Sequence, residues 1–539
     1  MRLTIFSIIA TTLCFFTSQA QETLDIKPMI RSNWHQHQPF NEACPWGNKN
    51  QKTPPGCGAV AAGQILNYHR TLDHAFGTKA YYSYSHDHNK RNSTDSMLII
   101  KHFDELKFNW GNIKNIYTFS KGKRDYSKLQ AKAAAEFLSQ VSVAMHTHYN
   151  DGGSSTTTNG ITLWGLHHHL HLSPKAVVRH RVHYATEEWK NLINEQLKNN
   201  KPVYYAAHHN FIGNTGKVRR HGHAFIIDGV NKDGEYHVNW GYGGNGDKFT
   251  DINILNNHSY KFPGNEYYCY SNSQRMITDF IQSESDTIYK NRSLMITSPI
   301  VINHNPYQSE WSFDKNSSFV FSTHIENYNI FNETVQFSLG VYKDSELYTI
   351  LDINAIKLAR IGKSNLTQRF ILPDYLENGE YEMYLISRNS TYTNWEKPIE
   401  CLPTVIKMRV DDIQIHLTLP PNRTLPSRIY LREPIKEVKV PESNGTSFRL
   451  ALKNPSENNF ENRLRLNITI DGKTHSFDMM ASVYSGTEVD YHITIPNKAI
   501  NLKNSKYSIS AEYFEHNEND FKPLGTTEPP IEIPYFDDY

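Results

Sequence analysis

One of the five cysteines in this chain has neighbours suited to nucleophilic chemistry. Cys57 stands in Thr53-Pro54-Pro55-Gly56-Cys57-Gly58-Ala59-Val60-Ala61-Ala62-Gly63-Gln64-Ile65-Leu66-Asn67-Tyr68-His69. A stiff, turn-prone approach there runs into an Ala-rich stretch, which predicts a helix beginning at the cysteine. At a helix start, unpaired amides and the positive end of the dipole favour the thiolate, the form that attacks. Small neighbours leave room for a substrate backbone. Taken alone, the segment fits better the usual fate of a free cysteine, which is burial as a small hydrophobe.

A second segment changes the balance. Gly222-His223-Ala224-Phe225-Ile226-Ile227-Asp228-Gly229 reads as a strand with a histidine at its head. After a turn at Lys232-Asp233-Gly234 comes Tyr236-His237-Val238-Asn239-Trp240-Gly241-Tyr242-Gly243-Gly244, so a β-hairpin is expected. Pairing across that hairpin can bring His223 near Asn239 or Trp240. A histidine that activates a thiol needs its second ring nitrogen held by an acceptor, and an Asn carbonyl suits. Trp240 can cover the contact and exclude water. Asp228 reads as a turn or strand-end carboxylate, and His69 as a cation closing the nucleophile helix.

These residues carry a resemblance. With Gln36-His37-Gln38-Pro39-Phe40-Asn41, Phe108-Asn109-Trp110 and Lys201-Pro202-Val203-Tyr204-Tyr205, they occur in the order found in the streptopain family, the C10 papain-like cysteine peptidases. The chain resembles that family over roughly residues 30–281. The resemblance implies Cys57 as nucleophile, His223 as general acid/base and Gln36 in the oxyanion hole beside the Cys57 N–H; Asn239 completes the catalytic set. It places Gly222 against the substrate backbone, with Ser155 of the Gly152–Thr158 loop nearby; Trp240 joins them as the third substrate-binding residue. Broad endopeptidase specificity, with an apolar residue just before the scissile one, is a further implication. Two departures stand out. An inhibitory pro-domain needs on the order of a hundred residues, and the stretch from Gln21 to Trp34 has no room for it, so latency is expected to arise otherwise or the enzyme to emerge active. The segment 206–220 is also longer than its family counterpart and is expected to reshape the cleft rim.

The remaining chain sets the context. At 539 residues, more than one core is required. With 56 basic against 55 acidic residues there is no footprint for a polyanion, so nucleic acid is not an expected partner. Arg2, the apolar run 3–16 and Ser18-Gln19-Ala20 read as a signal peptide cleaved before Gln21, which predicts a secreted or cell-surface protein without a transmembrane segment. A Cys44–Cys269 bridge is conceivable after export. His167-His168-His169, with His171, His208-His209 and His221, lacks ligand spacing, so neither metal nor cofactor is expected.

From about 285 onward, short alternating runs recur at 318–324, 335–341, 381–386, 463–470 and 507–513, separated by turn signals such as Asp471-Gly472. The expected organisation is a signal peptide over 1–20, an α+β papain-like domain over 21–281, and two all-β, immunoglobulin-like sandwich domains over 285–418 and 419–539. The partners expected are protein or peptide substrates, with an extracellular or host protein for the β domains. Two other functions fit the same residues: a Cys-His acyl transferase or amidase, and a surface adhesin carrying a vestigial peptidase domain.

Overall fold

The structure, a computed structural model, describes residues 24–526 apart from 48, 85–95, 254, 258–267, 284–293, 329–330, 361, 391–392, 440–443, 504 and 516–518. The signal-peptide reading of 1–20 lies outside the described residues. Among those residues, no helix is long and apolar enough to cross a membrane.

The expected helix at the cysteine is α1, Cys57–His69. Gly56 precedes it at φ 92°, a conformation that side-chain-bearing residues rarely adopt. Every residue from Gly58 to Asn67 is buried, so this helix is central. Its glycines permit that. A Cβ on Gly63 would stand 2.4 Å from Leu138 Cδ2, and one on Gly58 would stand 2.9 Å from the Tyr204 hydroxyl. The helix ends at Arg70 in the left-handed region, whose N–H donates to the Leu66 carbonyl at 2.8 Å. His69 does not supply the expected cation, because burial draws its pKa down to about 4. Arg70 does, its Nε donating to the Asn67 carbonyl at 3.2 Å.

Helix α2, Lys128–Ala144, packs against α1 and opens with a capping box between Ser127 and Gln130. Two strands, β1 (Thr78–Tyr84) and β2 (Ser96–His102), form an antiparallel hairpin beside it. From there Lys79 Nζ donates to the Ala144 carbonyl at the helix C-terminus at 2.8 Å, and burial draws its pKa down to about 7. Helices α3, Gly160–Leu170, and α4, Thr186–Lys198, complete the helical set among the described residues.

The central sheet is antiparallel and six-stranded. Its strands are β3 (Val177–His180), β4 (Val203–Ile212), β5 (Val218–Val230), β6 (Tyr236–Asn239), β7 (Lys248–Thr250) and β8 (Asn272–Thr278), in the order β3-β8-β4-β5-β6-β7. Strand alternation gives β5 two chemistries. Ala224 and Ile226 join the core that holds α1, while Phe225 and Ile227 join Trp189, Trp240 and Tyr270 on the other face. Asp228 is not the strand-end carboxylate expected. It is fully buried at a register shift between β5 and β6, where its carboxylate binds His237 Nδ1 (2.6 Å) and the Ile30 N–H (2.8 Å).

The segment 206–220 also departs from expectation. It is not a loop for most of its length. It forms the distal part of β4 and β5, paired without interruption from Val203↔Ile227 to Ile212↔Val218. The tip of this arm lies in a different core, where Ile212 is 1 % exposed among Leu450, Leu466 and Ile495, with Val218 packed against them.

Beyond 294 the described chain is β-rich. Strands between 294 and 418 form two sheets of five and seven strands, and those between 430 and 523 form two sheets of four strands each. Strands Phe460–Ile470 and Lys473–Val483 turn through Asp471-Gly472, both at positive φ. The four cysteines at 44, 57, 269 and 401 are all free, so the conceivable Cys44–Cys269 bridge is not formed.

Candidate active site

Cys57 occupies the first turn of α1, and the Ala224 N–H donates to its Sγ at 3.4 Å. This contact joins the helix to β5 at the residue directly after His223. Burial raises the Cys57 thiol pKa, opposed by hydrogen bonds from the Ala224, Gly58 and Cys57 amides.

The His223 ring is 4 % exposed and lies parallel to Tyr242 at 4.7 Å, flanked by Phe225, Trp240 and Tyr270. Its Nε2 is 2.9 Å from the Trp240 carbonyl oxygen. A carbonyl only accepts, so Nε2 carries the hydrogen and Nδ1 keeps its lone pair. Burial draws the imidazole pKa down to about 3. With the thiol raised and the ring lowered, both groups are neutral near pH 7 in this conformation. No hydrogen bond joins the ring to the sulfur.

The acceptor on His223 is therefore not Asn239, and the reason is register. Asn239 pairs with Ile226, and directly paired residues share a sheet face. That face is the one toward α1, while His223 belongs to the Phe225 side. Asn239 is 3 % exposed and its side chain is committed elsewhere. Its Oδ1 accepts from Gln64 Nε2 (3.2 Å) and the Gly241 N–H (3.1 Å), and its Nδ2 donates to the Ser32 carbonyl (3.0 Å). Asn239 thus holds the backbone on the far side of Trp240, and Asp247 accepts from the Trp240 N–H at 2.9 Å. The Trp240 ring is fully buried, so its expected substrate contact does not fit this placement; the ring walls the histidine instead.

Gln36 lies half-buried in a bend immediately after Trp34 and His35. That segment is pinned to the glycine loop that follows Trp240: the Gly243 N–H donates to the Trp34 carbonyl at 3.1 Å. Gly222 is exposed at the other side of His223, paired with His208. Ser155 is exposed too, bridged to His148 through both backbone hydrogen bonds. Its neighbours Ser154 and Thr156 line Gly56, with the Ser154 carbonyl 3.5 Å from where a Gly56 Cβ would be. Gln36, Ser155 and Gly222 therefore lie on segments attached to those of Cys57 and His223.

The adjacent histidines turn to separate partners. His167 Nδ1 meets the Tyr328 hydroxyl, His168 Nδ1 the Trp164 carbonyl and His169 Nδ1 the Phe76 carbonyl.

Gln64 is the residue that motif reading passed over. It is fully buried, accepts from the Trp34 N–H at 3.0 Å and donates to Asn239. One side chain thus ties the nucleophile helix to the Gln36 segment and to β6. The available signal was a polar residue seven positions after Cys57, on the same helix face, inside an apolar run. Replacing it should be costly, because both partners are left unsatisfied in the interior. Gln64→Leu is expected to lose about 2–5 kcal/mol of stability, read as a lower urea midpoint; an unchanged midpoint would show that the network is dispensable.

Residues 34–249 match the peptidase C10 family. The chain is 31 % identical over 224 residues to the thiol protease/hemagglutinin PrtT of Porphyromonas gingivalis, covering 41 % of this chain and 23 % of that protein. It is 28 % identical over 251 residues to streptopain of Streptococcus pyogenes, covering 43 % of this chain and 58 % of that protein. The chain thus spans 23 % and 58 % of the length of these two relatives. Among solved structures, active interpain A cysteine protease of Prevotella intermedia aligns at TM-score 0.40 and 25 % identity, over 48 % of this chain and 96 % of that one. Residues 34–249 thus form a peptidase C10 domain within the chain.

Proposed function

We propose that the chain is a secreted cysteine endopeptidase that hydrolyses protein substrates through a Cys57 thioester. The observation that carries this reading is the Ala224 N–H···Sγ contact, which sets the residue after His223 against the sulfur at the helix start. In the reaction, Cys57 Sγ exchanges that N–H for His223 Nδ1 and yields its proton to the ring. The thiolate adds to the scissile carbonyl, and the oxyanion is held by the Cys57 N–H and the Gln36 side-chain amide. His223 then protonates the leaving amine as the C–N bond breaks. Water, deprotonated by the same nitrogen, cleaves the thioester and restores the thiol. Gly222 and Ser155 border the cleft as substrate contacts. Asn239 is a positioning residue, acting through the Gly241 N–H and the Trp240 carbonyl.

The export reading, the division at 281, 285, 418 and 419, and immunoglobulin-like topology for the two β domains belong to the same proposal, as does an extracellular or host protein bound by those domains. Hydrolysis and acyl transfer part at the products. Incubation with denatured casein is expected to yield new N-termini that depend on Cys57; isopeptide-linked products in their place would make the chain a transferase. A Cys57→Ala chain that keeps the whole biological effect would favour the adhesin reading.

A further inference from the structure

The arm of β4 and β5 has His223 near one end and the core of the last β region at the other. The strand is continuous between them, so whatever grips the tip constrains the histidine. The grip is extensive. Besides the buried Ile212 and the half-buried Val218, Asn210 Nδ2 donates to the Met480 carbonyl. Halfway along the arm, polar contacts converge on His208. Arg220 Nη2 donates to His208 Nδ1 (3.1 Å) and to Ser273 Oγ (2.6 Å). Ser273 Oγ donates to Glu461 Oε1 at 2.8 Å, and Ser482 Oγ to its other oxygen at 3.3 Å. His208 is paired with Gly222 on one side and Asn272 on the other. Its imidazole lies 3.2 Å from where a Gly222 Cβ would be, and Asn272 accepts from the Tyr491 hydroxyl at 2.7 Å. A relay therefore runs from Glu461 through Ser273, Arg220 and His208 to the residue preceding His223.

We propose that the last β region is a clamp on this arm, with Glu461 and Arg220 as positioning residues that hold Gly222 and His223 against the cleft. This inference rests on the peptidase reading above. Misplacing a catalytic group by even about 1 Å can cost two orders of magnitude in rate, so slack transmitted along the strand is enough to matter.

The full chain tests it through Glu461→Gln, which keeps the volume and removes the charge, and Ile212→Asp, which expels the tip. The readouts are kcat and KM on a fluorogenic peptide, the rate of Cys57 alkylation by iodoacetamide from pH 5 to 8, and the thermal midpoint. Glu461→Gln is expected to lower kcat/KM roughly tenfold, with a matching fall in alkylation at low pH and an unchanged midpoint; Ile212→Asp is expected to lower both further. An active wild-type chain whose folded Glu461→Gln variant keeps both rates and the pH profile overturns the clamp, as does any gain in rate. Should the wild type cleave nothing, the peptidase reading fails. The alkylation profile then decides the clamp alone: a displaced profile in Glu461→Gln upholds it and a superimposable one overturns it.

Discussion

Cys57→Ala is expected to abolish peptide hydrolysis, by a factor of about 10⁴ or more, while the chain folds as before. The two halves of that expectation have separate causes. The fold should survive because alanine is the best helix former, its neighbours at 59, 61 and 62 are already alanine, and the bonds lost are weak N–H···S contacts such as that from Ala224 at 3.4 Å. Chemistry should vanish because the other candidate groups, Gln36 and the helix amides, only stabilise charge that a nucleophile must first create. His223→Gln is the companion, expected to cost about 10³ in rate while Cys57 still reacts with iodoacetamide slowly. Its ring is packed against Tyr242 and Trp240, so a side chain of similar reach limits the cavity. Hydrolysis of a fluorogenic peptide, with circular dichroism on each variant, checks both. A Cys57→Ala chain with more than about one percent of the activity would sink the assignment: Cys44 and Cys401 are buried, and Cys269, half-buried like Cys57, donates its thiol to Ser271 Oγ at 3.4 Å.

The second large effect is loss of the fold in mild acid. Nine histidines of the N-terminal half are kept neutral by full or partial burial: His35, His69, His169 and His183 with pKa drawn down to about 4, and His146, His180, His208, His209 and His223 to about 3. In each case burial, which disfavours the charged ring, is the largest cause. An unfolded chain releases these rings to titrate near the ordinary imidazole value of 6.5. Between that value and the folded pKa, the unfolded state binds more protons, so stability is complete above pH 6.5 and declines as pH falls toward 4. Each ring contributes about 1.4 kcal/mol per pH unit within the window. Three carboxyls, half-buried Asp247 raised to about 6 and Glu326 and Glu461 raised in the same direction, oppose the trend. They are outnumbered. The expected result is a urea midpoint that drops steeply from pH 7 to pH 5, followed by tryptophan fluorescence; six of the eight tryptophans lie before residue 241. A midpoint flat across that range would refute it.

The two effects meet at His223. The same burial that lowers its pKa excludes water from the ring and commits Nε2 to a carbonyl, leaving one basic nitrogen for one purpose. Asn239 and Gln64 support that arrangement from the opposite sheet face, which explains why a side chain that never touches the histidine can still govern its acceptor.

Local chemistry determined much of this protein from sequence alone. The rigid Pro54-Pro55-Gly56 approach and the alanines after it suffice for a helix starting at Cys57, and the apolar run 223–229 with a turn at 232–234 suffices for the hairpin. Alternation past residue 285 likewise foretold a β-rich region, with 463–470 and 507–513 lying inside paired strands. Such features depend on neighbours a few residues apart. The tertiary structure alone decided which acceptor faces His223, because the bulge at Asp228 sets the register and a shift of one residue exchanges the two faces of a strand. Docking of the 206–220 arm in a remote core, and the tie from Gln64 to Trp34 and Asn239, were equally out of reach of motif reading. Those contacts join residues 30 to nearly 300 positions apart, where packing between elements rather than local preference selects the partner.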